Sequence, residues 1–277
     1  MLLEDNARPA APAKDLLVQN FTKSLEQPPL PQPPAFRSVE EERLYRKRHL
    51  TAAFRVFCRF GFNEGVAGHI TVRDPAEPDT FWVNPFGVAY ARMKVSDLIR
   101  VDERGRLIDG RRPVNVSAFM IHSQIHEARP DAIASVHAHT VHGKAWSAMG
   151  RLLDPITQDA CYFYGDHALF DDYGGIVYDS QEGSAIARSL GQCKALILQN
   201  HGLITVGQSI DEAAYWMIAL DNACHAQLLA EAAGTPRKIP EDSAAGISRT
   251  LGAPYYGWLS FQALYDAVLA DEPDFLE

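Results

Sequence analysis

Two apolar runs with the residue types of buried strands, Ile133–His137 and Lys194–Leu198, each lead into histidine. The first continues as Val136-His137-Ala138-His139-Thr140, the second as Gln199-Asn200-His201-Gly202-Leu203. Side chains alternate faces along a strand, so His137 and His139 point the same way. A third imidazole from a second strand end can close a divalent-metal site that keeps coordination positions open, as metal catalysis requires. The competing reading is two unrelated surface histidines. Against it stands the cost of placing two polar rings at a buried strand end.

The surrounding sequence supplies helices for those strands to pack against. Ser38-Val39-Glu40-Glu41 has capping-box form, and Leu50, Ala53, Phe54 and Phe57 follow on one helical face before Gly61. Strand-like pieces occur at 69–72 and 81–84, and a helix is predicted from Val116 to Ala128, ahead of Arg129-Pro130-Asp131. A long helix beginning at Ser209, with Glu212 in capping-box spacing, carries Trp216, Met217, Leu220, Ala223 and Cys224 as an apolar stripe. Gly234 and Pro236 end it. Helices and strands mixed in this way predict one layered α/β domain over residues 38–277. Residues 1–37 read as a Pro-rich tail, with a short helix over 15–25. Pro28, Pro29, Pro31, Pro33 and Pro34 oppose helix and favour extended conformations.

A chain of 277 residues accommodates one such domain plus a tail, and 47% hydrophobic residues allow a sizeable core. The net charge of −9 argues against a nucleic-acid partner. No apolar run approaches the roughly eighteen residues of a membrane span. The start, Met1-Leu2-Leu3-Glu4-Asp5, lacks the pattern of a secretory signal. Cys58, Cys161, Cys193 and Cys224 are scattered and read as reduced core thiols. The expectation is a cytoplasmic protein with a small-molecule partner, no nucleic acid and no membrane.

Four segments, in their order, resemble the class II aldolase/adducin superfamily over roughly Glu40 to Leu264. They are Gly65-Val66-Ala67-Gly68-His69-Ile70-Thr71-Val72-Arg73, Asn84-Pro85-Phe86-Gly87, Arg129-Pro130-Asp131 ahead of the His-x-His, and Asn200-His201-Gly202-Leu203. The resemblance implies a three-layer α/β/α fold around a mainly antiparallel sheet. It also implies a homotetramer with active sites at subunit boundaries, and a metal held by His137, His139 and His201. Sugar-phosphate aldolases of the superfamily place a catalytic glutamate on the helix before the His-x-His strand. Counting back from His137 puts Ala118 there, and a methyl group cannot shuttle protons. His69 stands where those enzymes bind phosphate with asparagine, and Phe86 where they use a hydroxyl residue. An aromatic ring offers phosphate no donor, so an unphosphorylated aromatic or apolar substrate is expected.

Three neutral imidazoles leave a divalent ion its full charge and open positions, which suits a chelating 2-oxo or 2-hydroxy carboxylate. Imidazole accepts zinc and ferrous iron alike, so the ligands do not choose the metal. The overall pattern is similar to the bifunctional non-haem iron oxygenases of aminocoumarin antibiotic biosynthesis. That similarity implies Fe(II), with O2 as cosubstrate. It further implies two oxidative decarboxylations, from a prenylated 4-hydroxyphenylpyruvate through a mandelate to a prenylated 4-hydroxybenzoate. The alternatives are a zinc- or manganese-dependent lyase on a non-phosphorylated substrate and a non-catalytic adducin-like interaction module.

Around the metal, Glu64 and His69 flank the glycine-rich turn and are the candidate catalytic residues, each placed to donate a hydrogen bond to a bound carboxylate or oxygen. The alternatives are a turn-stabilising glutamate and a core histidine. Ser117, His122, Tyr164 and Trp258 are the candidate substrate-binding residues. His122 shares a helix face with His126, at i, i+4, and is the better placed to line a pocket. Tyr162, Phe163 and Tyr164 suggest an aromatic cage, and Tyr255, Tyr256, Trp258 and Phe261 a lid or a docked tail.

Overall fold

The computed structural model describes residues 28–175 and 180–277, side chains at 117, 118 and 180 excepted. The helix expected over 15–25 and most of the Pro-rich tail lie outside the described residues. The chain divides into Met1–Pro33 and Pro34–Glu277. Residues 28–33 carry no regular secondary structure. The second unit begins a few residues ahead of the expected boundary at 38 and holds all the elements that follow.

Helix α1 (Val39–Arg59) starts where the capping pattern places it, with Ser38 Oγ accepting a hydrogen bond from Glu41 N at 3.1 Å. Leu50, Ala53, Phe54 and Phe57 make its fully buried face. Strands β1 (His69–Arg73), β2 (Thr80–Val83), β3 (Ile99–Asp102) and β4 (Leu107–Asp109) follow, then α2 (Val116–Ala128), β5 (Ala134–Ala138) and α3 (Val141–Ser147). The remainder comprises β6 (His167–Phe170), α4 (Ser180–Leu190), β7 (Ala195–Leu198), β8 (Gly202–Gly207), α5 (Ile210–Ala233), α6 (Glu241–Thr250) and α7 (Pro254–Asp271). The strands form one sheet in the order β4-β3-β2-β1-β5-β8-β7-β6. Only the β6–β7 pair is parallel among the described residues.

Alternation along the strands creates two cores. Ala134, Val136 and Ala138 of β5, with Ile70 and Val72 of β1, pack with Leu50 and Phe57 of α1 and Trp216, Met217 and Leu220 of α5. On the other face, Leu196, Leu198, Ile204 and Val206 meet Ile121 and Ile125 of α2 and Ile186 and Leu190 of α4. Each such aliphatic side chain contributes about 1.5–3 kcal/mol when fully buried. The result is the three-layer α/β/α arrangement around a mainly antiparallel sheet. His69, Thr71 and His137 occupy the intervening strand positions and therefore face the α2 layer. No disulfide joins the four cysteines. No helix among the described residues is long and apolar enough to cross a membrane.

Candidate metal centre

Each part of Val-His-Ala-His-Thr has its own task. His137 is within β5, His139 follows the strand end, and Thr140 caps α3, its Oγ1 accepting from Gly143 N at 3.1 Å. His201 sits in the β7–β8 turn, where its N–H donates to Leu198 O at 3.0 Å. Asn200 supplies the left-handed residue of that turn, at φ 57°, a conformation asparagine tolerates. A Cβ on Gly202 would lie 2.7 Å from Ala138 O, so β8 reaches β5 beside His137 only with glycine there. Asn-His-Gly is thus a turn residue, a candidate ligand and a close approach in sequence.

One nitrogen from each of His137, His139 and His201 lies within 4.8 Å of the others. The Nε2 atoms of His137 and His139 are 2.9 Å apart, and the His201 ring centroid is 4.8 Å from each of theirs. His137 Nδ1 is 3.0 Å from Leu203 O, which can only accept, so Nδ1 carries the proton and Nε2 presents a bare lone pair. Burial first, then the neighbouring imidazoles, drives His137 far below its ordinary pKa. Burial and His139 bring His201 down to about 4, and burial also lowers His139. All three are neutral near pH 7, as metal ligands must be. This donor set fits a divalent transition ion.

His137 is closed off, whereas His139 and His201 are half-buried and mark the open side. There Lys144 Nζ approaches both carboxylate oxygens of Glu64 at 2.6 Å. That bond holds Glu64 below its usual carboxylate range, so it accepts hydrogen bonds instead of donating one as expected. His69 stands opposite His137 across the β1–β5 ladder and turns its Nδ1 to His122 Nε2 at 2.9 Å. His122 does not line the opening. It is 1% exposed, and both its nitrogens are engaged, by His69 and by Thr71 Oγ1.

The aromatic candidates separate. Tyr164 follows the short 3₁₀ turn Ala160–Phe163, and among the described residues its ring meets no histidine of the trio. Trp258, in the first turns of α7, is nearly buried against Tyr45 and Tyr255, with Nε1 donating to the phenolic oxygen Oη of Tyr45 at 3.2 Å. The Ser117 side chain lies outside the described residues. Among the described residues, the Tyr173 ring reaches the centre, 6.2 Å from His201 between centroids and 49% exposed. Its signal in the sequence is the Asp171-Asp172-Tyr173-Gly174-Gly175 loop after an apolar run. Two segments meet the loop that carries Glu64. Phe86 N donates to Pro113 O at 2.8 Å, and Asn115 Nδ2 to Val66 O at 3.5 Å. Exposed Val66, Phe86 and Val116, the last at the start of α2, lie in or next to them.

The Class II Aldolase and Adducin N-terminal domain family matches residues 48–228, and the chain belongs to that family. Decarboxylase NovR of Streptomyces niveus is 48% identical over 245 residues, covering 88% of this chain and 91% of that protein. The 4-hydroxy-3-prenylphenylpyruvate oxygenase/4-hydroxy-3-prenylbenzoate synthase of Streptomyces roseochromogenus subsp. oscitans is 48% identical over 244 residues, 87% of this chain and 88% of that protein. Among solved structures, L-fuculose 1-phosphate aldolase from Glaciozyma antarctica PI12 has a TM-score of 0.83 at 45% identity, covering 89% of this chain and 97% of that one.

Proposed function

We propose that the chain is an Fe(II)-dependent oxygenase that decarboxylates an aromatic 2-oxo acid to a 2-hydroxy acid and then to a benzoate, in antibiotic biosynthesis. The observation that carries this reading is the convergence of three neutral imidazoles; the family resemblance, which sets Ala118 where sugar-phosphate aldolases carry a glutamate, agrees with it. The names of the two Streptomyces relatives, a decarboxylase and a prenylphenylpyruvate oxygenase, support it. The stoichiometry balances. An arylpyruvate and O2 give a mandelate and CO2, and the mandelate and a second O2 give a benzoate, CO2 and water.

His137, His139 and His201 would hold the ion. Ferrous iron supplies one-electron chemistry toward dioxygen and a Lewis-acid contact for substrate oxygens. The protein does the rest. Leu203 O fixes the tautomer of His137. Lys144 neutralises Glu64 at the opening, which spares a carboxylate substrate the repulsion of a bare anion there. Tyr173, Val66, Phe86 and Val116 offer apolar surface to an aryl ring and its substituent. The assembly we infer is a homotetramer of the 30.7 kDa chain, checked by its mass in solution.

The test is an anaerobic assay of the iron-loaded protein with 4-hydroxyphenylpyruvate and its 3-prenyl derivative. Product should require O2, consumed in step with CO2 release. Product at an undiminished rate without O2 would overturn the reading. It would favour a zinc- or manganese-dependent lyase, to which the 45% identity with the Glaciozyma aldolase points.

A further inference from the structure

Behind the metal centre, between the sheet and α2, runs a chain of hydrogen bonds that the metal site does not account for. His69 Nδ1 meets His122 Nε2 at 2.9 Å, and His122 Nδ1 meets Thr71 Oγ1 at 2.7 Å. Thr71 Oγ1 meets His126 Nε2 at 2.8 Å, and His126 Nδ1 meets Ala132 O at 3.1 Å. Every member is buried, and no carboxylate touches any of the three rings among the described residues.

The far end decides the direction of every bond. A backbone carbonyl only accepts, so His126 Nδ1 carries the proton. Burial first, and the Arg73 guanidinium second, push His126 down to about 3, so the ring is neutral and its Nε2 is bare. Thr71 must therefore donate to His126. Its alternative acceptor, Ser135 O, is farther, at 3.4 Å. A hydroxyl has one proton, so toward His122 Thr71 can only accept, and His122 Nδ1 is the donor. His122 Nε2 is then bare, and His69 Nδ1 must donate to it. One site is left over. His69 Nε2 carries a lone pair and has no partner among the described residues, in a ring 4.9 Å from that of His137. Both nitrogens of His126 are occupied, so the chain ends at Ala132 and is a tautomer lock, with no outlet for a proton.

We propose that Thr71, His122 and His126 are positioning residues that fix His69 as a hydrogen-bond acceptor beside the histidine trio, where it selects the hydroxyl of a bound 2-hydroxy acid. This rests on the proposed function for the ligand class, and it reverses the donor role expected for His69. A mandelate offers a 2-hydroxyl proton to that lone pair. The keto form of an arylpyruvate offers none, so the lock acts on the second half of the sequence and not the first.

Two measurements on the full chain test it. Long-range ¹H–¹⁵N spectra of the metal-free protein, with His69 assigned from the H69Q variant, should show the His69 proton on Nδ1. Finding it on Nε2 overturns the lock, whatever the enzyme's activity. Calorimetry under argon on iron-loaded protein then compares 4-hydroxymandelate with 4-hydroxyphenylpyruvate. Thr71→Val, similar in shape but without the hydroxyl, should weaken mandelate binding about tenfold, leave the arylpyruvate within about twofold, and scramble the His69 tautomer. Thr71→Ser should restore both readouts. Equal weakening of the two acids, no weakening, or wild-type protein that binds no mandelate would overturn the ligand assignment. Failure of the oxygenase reading would show separately, in the oxygen requirement.

Discussion

His69 and His137 face each other directly across the β1–β5 ladder, with ring centroids 4.9 Å apart, so imidazoles from neighbouring strands share one face of the sheet. His137 is therefore part of the sheet, whereas His201 belongs to a turn.

That difference separates two ligand variants. His201→Ala should cut bound iron at least about tenfold, measured by metal analysis after dialysis, with an unchanged thermal midpoint in the metal-free protein. His137→Ala should lose iron equally. It also leaves Leu203 O without its donor, at a cost of about 1–3 kcal/mol in denaturant titration of the metal-free protein. Full iron occupancy in either variant would contradict the site.

Gly202→Ala drives a methyl against Ala138 O, a backbone atom that cannot step aside. The expected loss is about 1–3 kcal/mol of stability, together with weaker metal binding because His137 lies at the same contact. Asn200→Gly, which keeps the positive φ accessible, should be close to neutral. A stable, fully metal-binding Gly202→Ala protein would show that β8 can withdraw from β5.

A stability term tied to acid pH comes from Asp74. Burial pushes its carboxyl up, but Arg43, Trp82 and the N–H groups of Ala76 and Glu77 more than offset this and hold it far below the carboxylate range. A carboxyl depressed in the folded state stabilises fully above its unfolded value, about 3.9, and loses that contribution as pH falls through and below it. Urea titrations should show wild type more stable than Asp74→Asn by a constant margin from about pH 8 to pH 5, narrowing below about pH 4. A margin independent of pH would exclude the ionised pair as its source.

Lys144→Ala should raise KM for a carboxylate substrate several-fold at low ionic strength with little change in kcat, and the difference should shrink in about 1 M salt. Steady-state kinetics at two salt concentrations measure this. A salt-independent defect would mean that Lys144 acts through packing alone.

Helices α1 and α5 were legible because their caps and apolar spacing are local. Ser38 with Glu41 and Ser209 with Glu212 make the hydrogen bonds their spacing implies. Strand β8 was not, because all six of its residues are buried, which erases the period of two. Strand β4 is three exposed residues at the sheet edge. The cluster from Tyr255 to Trp258 is the opening of an 18-residue helix that starts at Pro254. The three candidate ligands could be read because they lie at or just beyond strand ends. Tyr173 and Lys144 arrive from a loop and a short helix, and only tertiary packing decides where those come to rest. The shared face of His122 and His126 was visible in the spacing, but its inward direction was not.

Along β1 and β5, Ile70, Val72 and Val136 alternate with His69, Thr71 and His137. Sliding one strand past the other by a single residue would send the imidazoles into the aliphatic layer and the aliphatics toward α2. No population can keep this sheet and lose that constellation by mispairing, since the slipped form forfeits its core as well.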